Sequence, residues 1–184
     1  MATTINTSNT KNLILCGMFA AITTVCSWIT IPLGFTPVPV NLATLAVFMT
    51  GGLLGPKYGP LSLTVYTLAG AVGIPVFAGF RGGLAVIAGP TGGYIIGYIL
   101  AAFIAGLLIS DSSSSHSALR IVPALVLALA ACYALGTVWF IYSTGTNIGA
   151  ALLSCVIPFL PGDALKIAAA TVLIGKLRHH LQNL

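Results

Sequence analysis

Three long stretches of this chain, residues 12–56, 82–110 and 121–162, contain no charged side chain. A helix that crosses the hydrocarbon core of a bilayer needs about 20 apolar residues, so each stretch has room for one or two such helices. Charge is scarce elsewhere too, since the 184 residues include only seven Lys or Arg, two Asp and no Glu. A soluble domain carries roughly a quarter charged residues. The sequence therefore excludes a soluble enzyme or a nucleic-acid-binding module and predicts an integral membrane protein.

Apolar runs separated by Pro and Gly predict an all-α fold, a bundle of six transmembrane helices. The first five helices are predicted at residues 12–31, 40–54, 61–74, 91–109 and 119–141. Three of the connections are predicted to be a short charged turn, an irregular glycine-rich segment and a polar loop, at residues 55–60, 75–90 and 111–117.

The C-terminal part of the chain leaves two alternatives. Residues 147–160 are apolar, and the following Pro161, Gly162 and Asp163 are typical of a helix start. Either one long helix is broken at Pro161, or a re-entrant segment precedes the sixth span, which ends near Leu181. Both alternatives give a single transmembrane domain over residues 1–184, with a short N-terminal tail of about residues 1–11.

The cations predict how this domain is oriented. Five of them fall on one side of the six-span arrangement: Lys11, Lys57, Arg120, Lys176 and Arg178. Only Arg81 falls in a loop on the opposite side. Because Lys and Arg concentrate in cytoplasmic loops, both termini are predicted to be cytoplasmic, in a multi-pass protein of the cell membrane.

Three charges, Arg81, Asp163 and Lys166, are not explained by topology. A charge at bilayer depth costs roughly 2.5–3.5 kcal/mol on insertion scales, so it normally faces a partner or a cavity. Asp163 and Lys166 are three residues apart and share a helix face. They are either a capping carboxylate with its own lysine, or part of a polar cluster that binds a solute at the outer end of the bundle.

Glycine and aromatic residues of three outward-facing segments are predicted to converge on these charges. Aromatic rings supply flat apolar walls, and glycines let the backbone approach a ligand closely, which suits a small molecule with a polar head and an apolar body. The alternative is that the glycines only turn the chain and the aromatics form an interface belt. The candidate binding residues in these segments are Phe35, Asn41, Phe77, Phe80, Gly92, Tyr94, Tyr142 and Asn147.

On the cytoplasmic side of the first helix, Gly17, Ala20 and Ala21 form a patch of small residues. Small residues at this spacing allow helices to pack closely. The patch is predicted either to pack inside the bundle or to dock a partner protein.

Several kinds of catalytic site are absent from the sequence. It contains no GxxxxGK[ST] motif for phosphate, no pair of carboxylates for acid–base catalysis and no Cys/His cluster for a metal. The four cysteines lie in apolar stretches and are predicted to be buried thiols. His116, His179 and His180 lie in a loop and the tail, where solvated side chains are expected. We therefore predict a protein that is not an enzyme and has no metal or cofactor.

Four motifs resemble the BioY family of biotin transporters, the substrate-binding S components of energy-coupling-factor (ECF) transporters. The motifs are FTPVPVN at residues 35–41, GIPVFAGFRGG at 73–83, GPTGGY at 89–94 and PFLPGDALK at 158–166. The resemblance covers nearly the whole chain. It implies a six-helix substrate-binding domain in contact with membrane lipid. Such a domain captures biotin outside and releases it inward with a transmembrane coupling protein and two cytoplasmic ATPases.

The resemblance also gives roles to individual residues. The family's Ala-x-x-x-Ala docking motif corresponds to Gly17 and Ala21, with glycine at the first position. Asp163 is expected to accept hydrogen bonds from the ureido N–H groups of biotin, Lys166 to donate to a ligand oxygen or hold Asp163, and Arg81 to pair with the carboxylate or fix the loop. The apolar body would lie against Phe35, Phe77, Phe80 and Tyr94, with Asn147 as a further ureido partner. A facilitator that works without ATPases, or a membrane enzyme, are the alternative functions.

Overall fold

The computed structural model describes residues 7–110 and 118–182, and most of these residues are helical. The helices are α1 (Thr7–Trp28), α2 (Ala43–Ala71), α3 (Leu84–Ala88), α4 (Gly92–Ser110), α5 (Ala118–Thr144), α6 (Ile148–Cys155) and α7 (Leu160–Gln182). Two short strands, β1 (Thr30–Ile31) and β2 (Val40–Asn41), pair antiparallel in the connection from α1 to α2. The predicted helical membrane bundle is therefore confirmed, with this small hairpin added.

Four helical segments within the described residues are long and apolar enough to cross a membrane. They lie at Thr10–Trp28, Gly92–Ile109, Ala118–Thr144 and Ile148–Arg178. The count of six spans and the cytoplasmic position of both termini stay predictions.

The predicted break between the second and third helices is present at Gly55, but the predicted turn at residues 55–60 is too long, because residues 56–60 are helical. Helix α2 contains one non-helical residue, Gly55, with φ 76° and ψ −173°. Gly59 then lies against Gly51, since a Cβ atom built on Gly59 would be 3.1 Å from the Cα atom of Gly51. Eight residues of straight helix would separate the two by about 12 Å, so α2 is a helical hairpin. Pro56 begins its second limb, at a position where a helix needs no N–H donor.

Close contacts through glycine hold α2, α4 and α5 together. A Cβ atom on Gly51 would lie 2.6 Å from the carbonyl oxygen of Ala102 in α4, and one on Gly106 would be 2.5 Å from the carbonyl carbon of Gly55. Gly97 of α4 backs onto Cys132 of α5 in the same way. Without side chains at these points the helices approach to backbone contact, which strengthens van der Waals packing inside a bilayer.

Helix α1 is attached to this core by hydroxyl groups. Ser62 Oγ of α2 donates to the carbonyl oxygen of Cys16 over 2.7 Å, and Ser27 Oγ donates to the carbonyl oxygen of Val76 over 2.5 Å. Both serines are buried. The opposite face of α1 is exposed, with Ile14 and Val25 more than half accessible.

The five cations assigned to the cytoplasmic side lie at one end of the bundle. The Gly55 turn meets Gly106 there, and Arg178 Nη1 donates to the carbonyl oxygen of Ile109 over 2.7 Å. Arg120 is in the first turn of α5, which follows the same end of α4. The predicted loop at 111–117, with Asp111 and His116, lies outside the described residues, as do the side chains of His179 and His180.

The glycine-rich segment between α2 and α4 contains more structure than predicted. Phe77 and Arg81 form an isolated antiparallel bridge, with the Phe77 N–H donating to the Arg81 carbonyl oxygen over 2.9 Å. Phe80 at the tip of this turn has φ 57°, a left-handed conformation that is uncommon for residues other than glycine. The short helix α3 follows.

The break near the C-terminus lies before Pro161. Helix α6 ends at Cys155, and a 3₁₀ turn, Ile157–Phe159, leads into α7 at Leu160. Pro161 is thus in the first turn of α7, where its missing N–H is tolerated. Of the two sequence alternatives, the structure is closer to a helical tract with one break, and the break falls a few residues earlier than predicted.

Candidate functional site

A cavity lies at the end of the bundle opposite the cation-rich end. It is enclosed by the β1–β2 connection, both limbs of α2, the glycine-rich segment, α4, α5, α6 and α7. Its lining residues are Val38, Pro39, Asn41, Thr44, Tyr66, Phe77, Ala78, Arg81, Val86, Thr91, Tyr94, Ile95, Tyr98, Leu129, Cys132, Tyr133, Cys155, Phe159, Asp163 and Lys166.

The polar part of the cavity wall is a cluster of Thr44, Tyr133, Asp163 and Lys166, hereafter the Asp163 cluster. Lys166 Nζ lies 2.7 Å from Asp163 Oδ1. Thr44 Oγ1 donates to the same oxygen over 3.1 Å, and Tyr133 donates to Asp163 Oδ2 in a short hydrogen bond. Three different helices, α2, α5 and α7, therefore meet at one carboxylate.

The two charged groups of this cluster are buried, which costs free energy unless they are compensated. Asp163 is 2% exposed and Lys166 is 8% exposed. A buried charge is tolerated when it is paired and hydrogen-bonded, and Asp163 meets both conditions. Its place in the first turn of α7 adds the favourable end of the helix dipole. The carboxylate is thus paired with its own lysine and also lines a cavity. The two arrangements that the sequence left as alternatives, an ion pair within the helix and a polar cluster at a cavity, are therefore both present.

Aromatic rings that pack directly against glycine residues form part of the apolar wall. A Cβ atom on Gly70 would collide with the ring of Phe77, and one on Gly136 would collide with the ring of Tyr94. Phe77 also makes an edge-to-face contact with Tyr66, at 5.5 Å between ring centroids. Packing against these neighbours holds the rings of Phe77 and Tyr94 in the cavity wall.

The Tyr94 hydroxyl points to a neutral partner rather than to the Asp163 cluster. It lies 3.1 Å from Thr137 Oγ1, and both groups are buried. The ring of Tyr94 contacts that of Tyr133 edge to face, with centroids 6.5 Å apart. Tyr94 therefore contributes an apolar wall while its polar end is satisfied inside the bundle.

Arg81 lies at the mouth of the cavity. Its side chain is exposed, and among the described residues its guanidinium has no hydrogen-bond or ion-pair partner. The turn that carries it is held to α1 by Trp28, which stacks on Phe80 at 4.8 Å and donates from Nε1 to the Pro75 carbonyl oxygen over 2.9 Å. This positions a positive charge above a buried, nearly neutral cluster.

The structure brings six of the predicted binding residues into the cavity wall. They are Asn41, Phe77, Arg81, Tyr94, Asp163 and Lys166. Five others do not line it. Phe35 and Tyr142 are exposed, and Phe80 stacks on Trp28 instead.

The remaining two have local structural roles. Asn147 is the N-cap of α6, and its Oδ1 accepts from the Ala150 N–H over 2.8 Å. Gly92 begins α4 so close to α3 that a Cβ atom would collide with the Ile87 carbonyl oxygen.

Sequence reasoning missed the hydroxyl groups of the cavity. Thr44, Tyr66, Tyr98 and Tyr133 all line it, and each lies in a charge-free, mostly apolar stretch of its helix. A hydroxyl-bearing side chain in such a stretch is the signal that could have indicated them, because polar groups need partners inside a bilayer. Two buried thiols, Cys132 and Cys155, line the cavity as well.

The small-residue patch of α1 divides between two faces. Ala20 is buried against the bundle, whereas Gly17 and Ala21 are exposed, and a Cβ atom on Gly17 would meet nothing within 4 Å. We call Gly17 and Ala21 the α1 outer row. Among the described residues, no group of three His, Cys, Asp or Glu side chains is placed to hold a metal ion.

Comparison with known proteins gives matches along nearly the whole chain. Residues 1–183 match the profile of the BioY family. The biotin transporter BioY of Thermotoga maritima is 40% identical over 168 residues, which are 91% of this chain and 96% of that protein. The biotin transporter BioY of Rhizobium etli is 35% identical over 173 residues, 90% of this chain and 91% of that protein.

A solved structure agrees with the sequence matches. The crystal structure of the S-component for biotin from an ECF-type ABC transporter is 29% identical, with a TM-score of 0.88, and covers 96% of this chain and 95% of its own. The helical arrangement and the sequence thus point the same way, and this multi-pass membrane protein belongs to the BioY family.

Proposed function

We propose that this chain captures biotin on the outer side of the cell membrane, as the substrate-binding subunit of an ECF-type transporter. The observation that carries the proposal is the cavity with the buried Asp163 cluster, aromatic walls and Arg81 at its mouth. Relatives named as biotin transporters and the related S-component for biotin support the choice of ligand.

The chemistry of biotin matches the order of groups along this cavity. Its ureido ring offers two N–H donors and a carbonyl acceptor, its thiophane ring and valeryl chain are apolar, and its carboxylate is anionic. The buried cluster suits the ureido ring, and the rings of Phe77 and Tyr94 suit the apolar body. Arg81 at the mouth then suits the carboxylate, since guanidinium and carboxylate groups form charge-assisted hydrogen bonds.

Release of biotin inward is proposed to depend on partner proteins. This chain has no phosphate-binding GxxxxGK[ST] motif, so ATP hydrolysis would come from two cytoplasmic ATPases, joined to it by a transmembrane coupling protein. The α1 outer row supports such a contact, because it is exposed and lacks bulky side chains. Close approach of a partner helix needs this kind of surface.

Titration calorimetry of the purified protein in detergent tests the binding proposal. The wild type should bind biotin, and Asp163→Asn should bind it at least tenfold more weakly, because the Asp163 cluster loses hydrogen bonds to a charged group, each of which contributes about 1.5–3 kcal/mol. Gly175→Ala is the control, since a Cβ atom there would meet nothing within 4 Å. Wild-type affinity in Asp163→Asn would show that Asp163 does not contribute to biotin binding.

Uptake of labelled biotin tests the coupling proposal. Cells that produce this chain with the coupling protein and both ATPases should accumulate biotin, and an inactivating substitution in the ATPases should abolish accumulation. Equal uptake by cells that lack the coupling protein and the ATPases would contradict the coupled mechanism while leaving biotin binding intact.

A further inference from the structure

The Asp163 carboxylate is almost fully occupied by groups of the protein itself. Its Oδ1 accepts from Lys166 Nζ and Thr44 Oγ1, and its Oδ2 accepts from the Tyr133 hydroxyl. An ionised carboxylate offers about four lone-pair sites. Three donors therefore leave about one site, which is too few for the two N–H groups of a cyclic urea.

The hydroxyl groups in the cluster, unlike the carboxylate, have unused acceptor lone pairs. Each hydroxyl has one hydrogen to donate and two lone pairs that accept. The hydrogens of Thr44 and Tyr133 are directed at Asp163, and both residues line the cavity. Each therefore presents acceptor lone pairs where a ligand would lie. Donation to a carboxylate also polarises a hydroxyl and makes its oxygen a better acceptor.

Lys166 completes the pattern with donors. Its ammonium group has three N–H bonds, one of which is used on Asp163. Since Lys166 also lines the cavity, the remaining donors suit a carbonyl oxygen. The cluster then offers two hydroxyl acceptors and one cationic donor, which complement the two N–H groups and the carbonyl of a cyclic urea.

We propose that Tyr133 and Thr44 accept the two ureido N–H groups of the ligand, and that Asp163 acts through them as a positioning residue. This inference rests on the proposed biotin function and deepens it. It changes the role expected for Asp163 in the sequence, from direct acceptor to the group that orients two hydroxyls and one ammonium. Specificity for a urea with two N–H groups then comes from residues on α2 and α5, held in place by α7.

A ligand–protein double-mutant cycle tests the proposal. Calorimetry would measure the affinity of biotin and of its two derivatives methylated at one ureido nitrogen, for the wild type, Tyr133→Phe and Thr44→Val. Wild-type protein should bind each methylated derivative about tenfold or more weakly than biotin, because each has lost one N–H hydrogen bond to a polarised hydroxyl.

The variants should each remove one of these two penalties. Tyr133→Phe should weaken biotin about tenfold and reduce the penalty for one derivative to less than threefold, and Thr44→Val should do so for the other. A purely structural role for Tyr133 or Thr44 would weaken all three ligands equally. Undiminished methylation penalties in both variants, or wild-type affinity for biotin in both, would overturn the inference.

Controls separate this outcome from misfolding and from failure of the proposed function. Thr50→Val removes another buried hydroxyl from the same limb of α2, one that bonds the Ala46 carbonyl oxygen and does not line the cavity. It should leave the methylation penalties at their wild-type values. If Tyr133→Phe is not monodisperse, Thr44→Val carries the test alone. A wild type that binds no biotin would overturn the proposed function, and this inference with it.

Discussion

The Asp163 cluster and the α1 outer row are both small sets of residues in a nearly uncharged bundle. They differ in how many contacts they make with the rest of the protein. Asp163 is 2% exposed and has three internal donors. Gly17 is exposed and would tolerate a Cβ atom with nothing within 4 Å. The side chains of the Asp163 cluster are thus held by bonds within the protein, whereas the α1 outer row faces open space at Gly17.

This contrast fits the two roles proposed for these surfaces, ligand binding and partner docking. A small polar ligand is bound tightly when donors and acceptors are already oriented, because little ordering entropy is lost on binding. A helix of another protein in the bilayer instead requires backbone approach, which small side chains permit. Substitutions in the cluster should therefore change ligand affinity, and those in the outer row should change assembly alone.

Removal of Lys166 should have the largest effect. Lys166→Met leaves a buried carboxylate without its cation, and breaking a buried ion pair costs roughly 3–5 kcal/mol of folding free energy. We expect a marked loss of thermal stability in detergent together with loss of biotin binding, measured by unfolding and by calorimetry.

The matched double variant separates stability from recognition. Asp163→Asn combined with Lys166→Met removes both charges, so most of the stability should return while biotin binding stays impaired. Wild-type stability in the single variant would show that the pair is not buried as the structure has it.

The charged residues of this cavity could be predicted from the sequence. Arg81, Asp163 and Lys166 stand out because topology does not explain them, and all three line the cavity. The hydroxyls of Thr44 and Tyr133 could not be found in this way, because they meet Asp163 from positions 119 and 30 residues away in the chain. Only the folded arrangement of helices brings such distant residues together.

The local details of the fold are also harder to predict from the sequence than its overall architecture. Charge-free stretches predict the helices well, yet Gly55 turns the chain within one residue, where a six-residue connection was expected. Asn147 illustrates the same problem at the site, since a polar side chain near the outer end serves as a helix cap. Residue type indicates which bonds a side chain can make, and the backbone around it decides which one it makes.

Substitution of the outer row should produce the next largest effect, and on a different property. Gly17→Trp places a large ring where a partner helix would approach, so recovery of the coupling protein by copurification should fall at least tenfold. Biotin affinity should stay within twofold of wild type, because Gly17 has no contact with the cavity.

The neighbouring residue supplies the control for this substitution. Met18 is also exposed but points about 100° further round α1, so Met18→Trp should retain the coupling protein. Loss of biotin binding in Gly17→Trp would indicate misfolding, and full recovery of the coupling protein would exclude the outer row as the docking surface.

The smallest effect should come from disturbing the cavity through its packing rather than its polar groups. Gly136→Ala adds a Cβ atom that collides with the ring of Tyr94, and overpacking of this kind costs about 1–3 kcal/mol. Tyr94 should shift within the wall, lowering biotin affinity three- to tenfold while copurification with the coupling protein is unchanged. Gly175→Ala adds the same methyl group where nothing lies within 4 Å, so it should change neither measurement. If Gly136→Ala impaired assembly as strongly as binding, the cavity and the outer row would be coupled surfaces rather than independent ones.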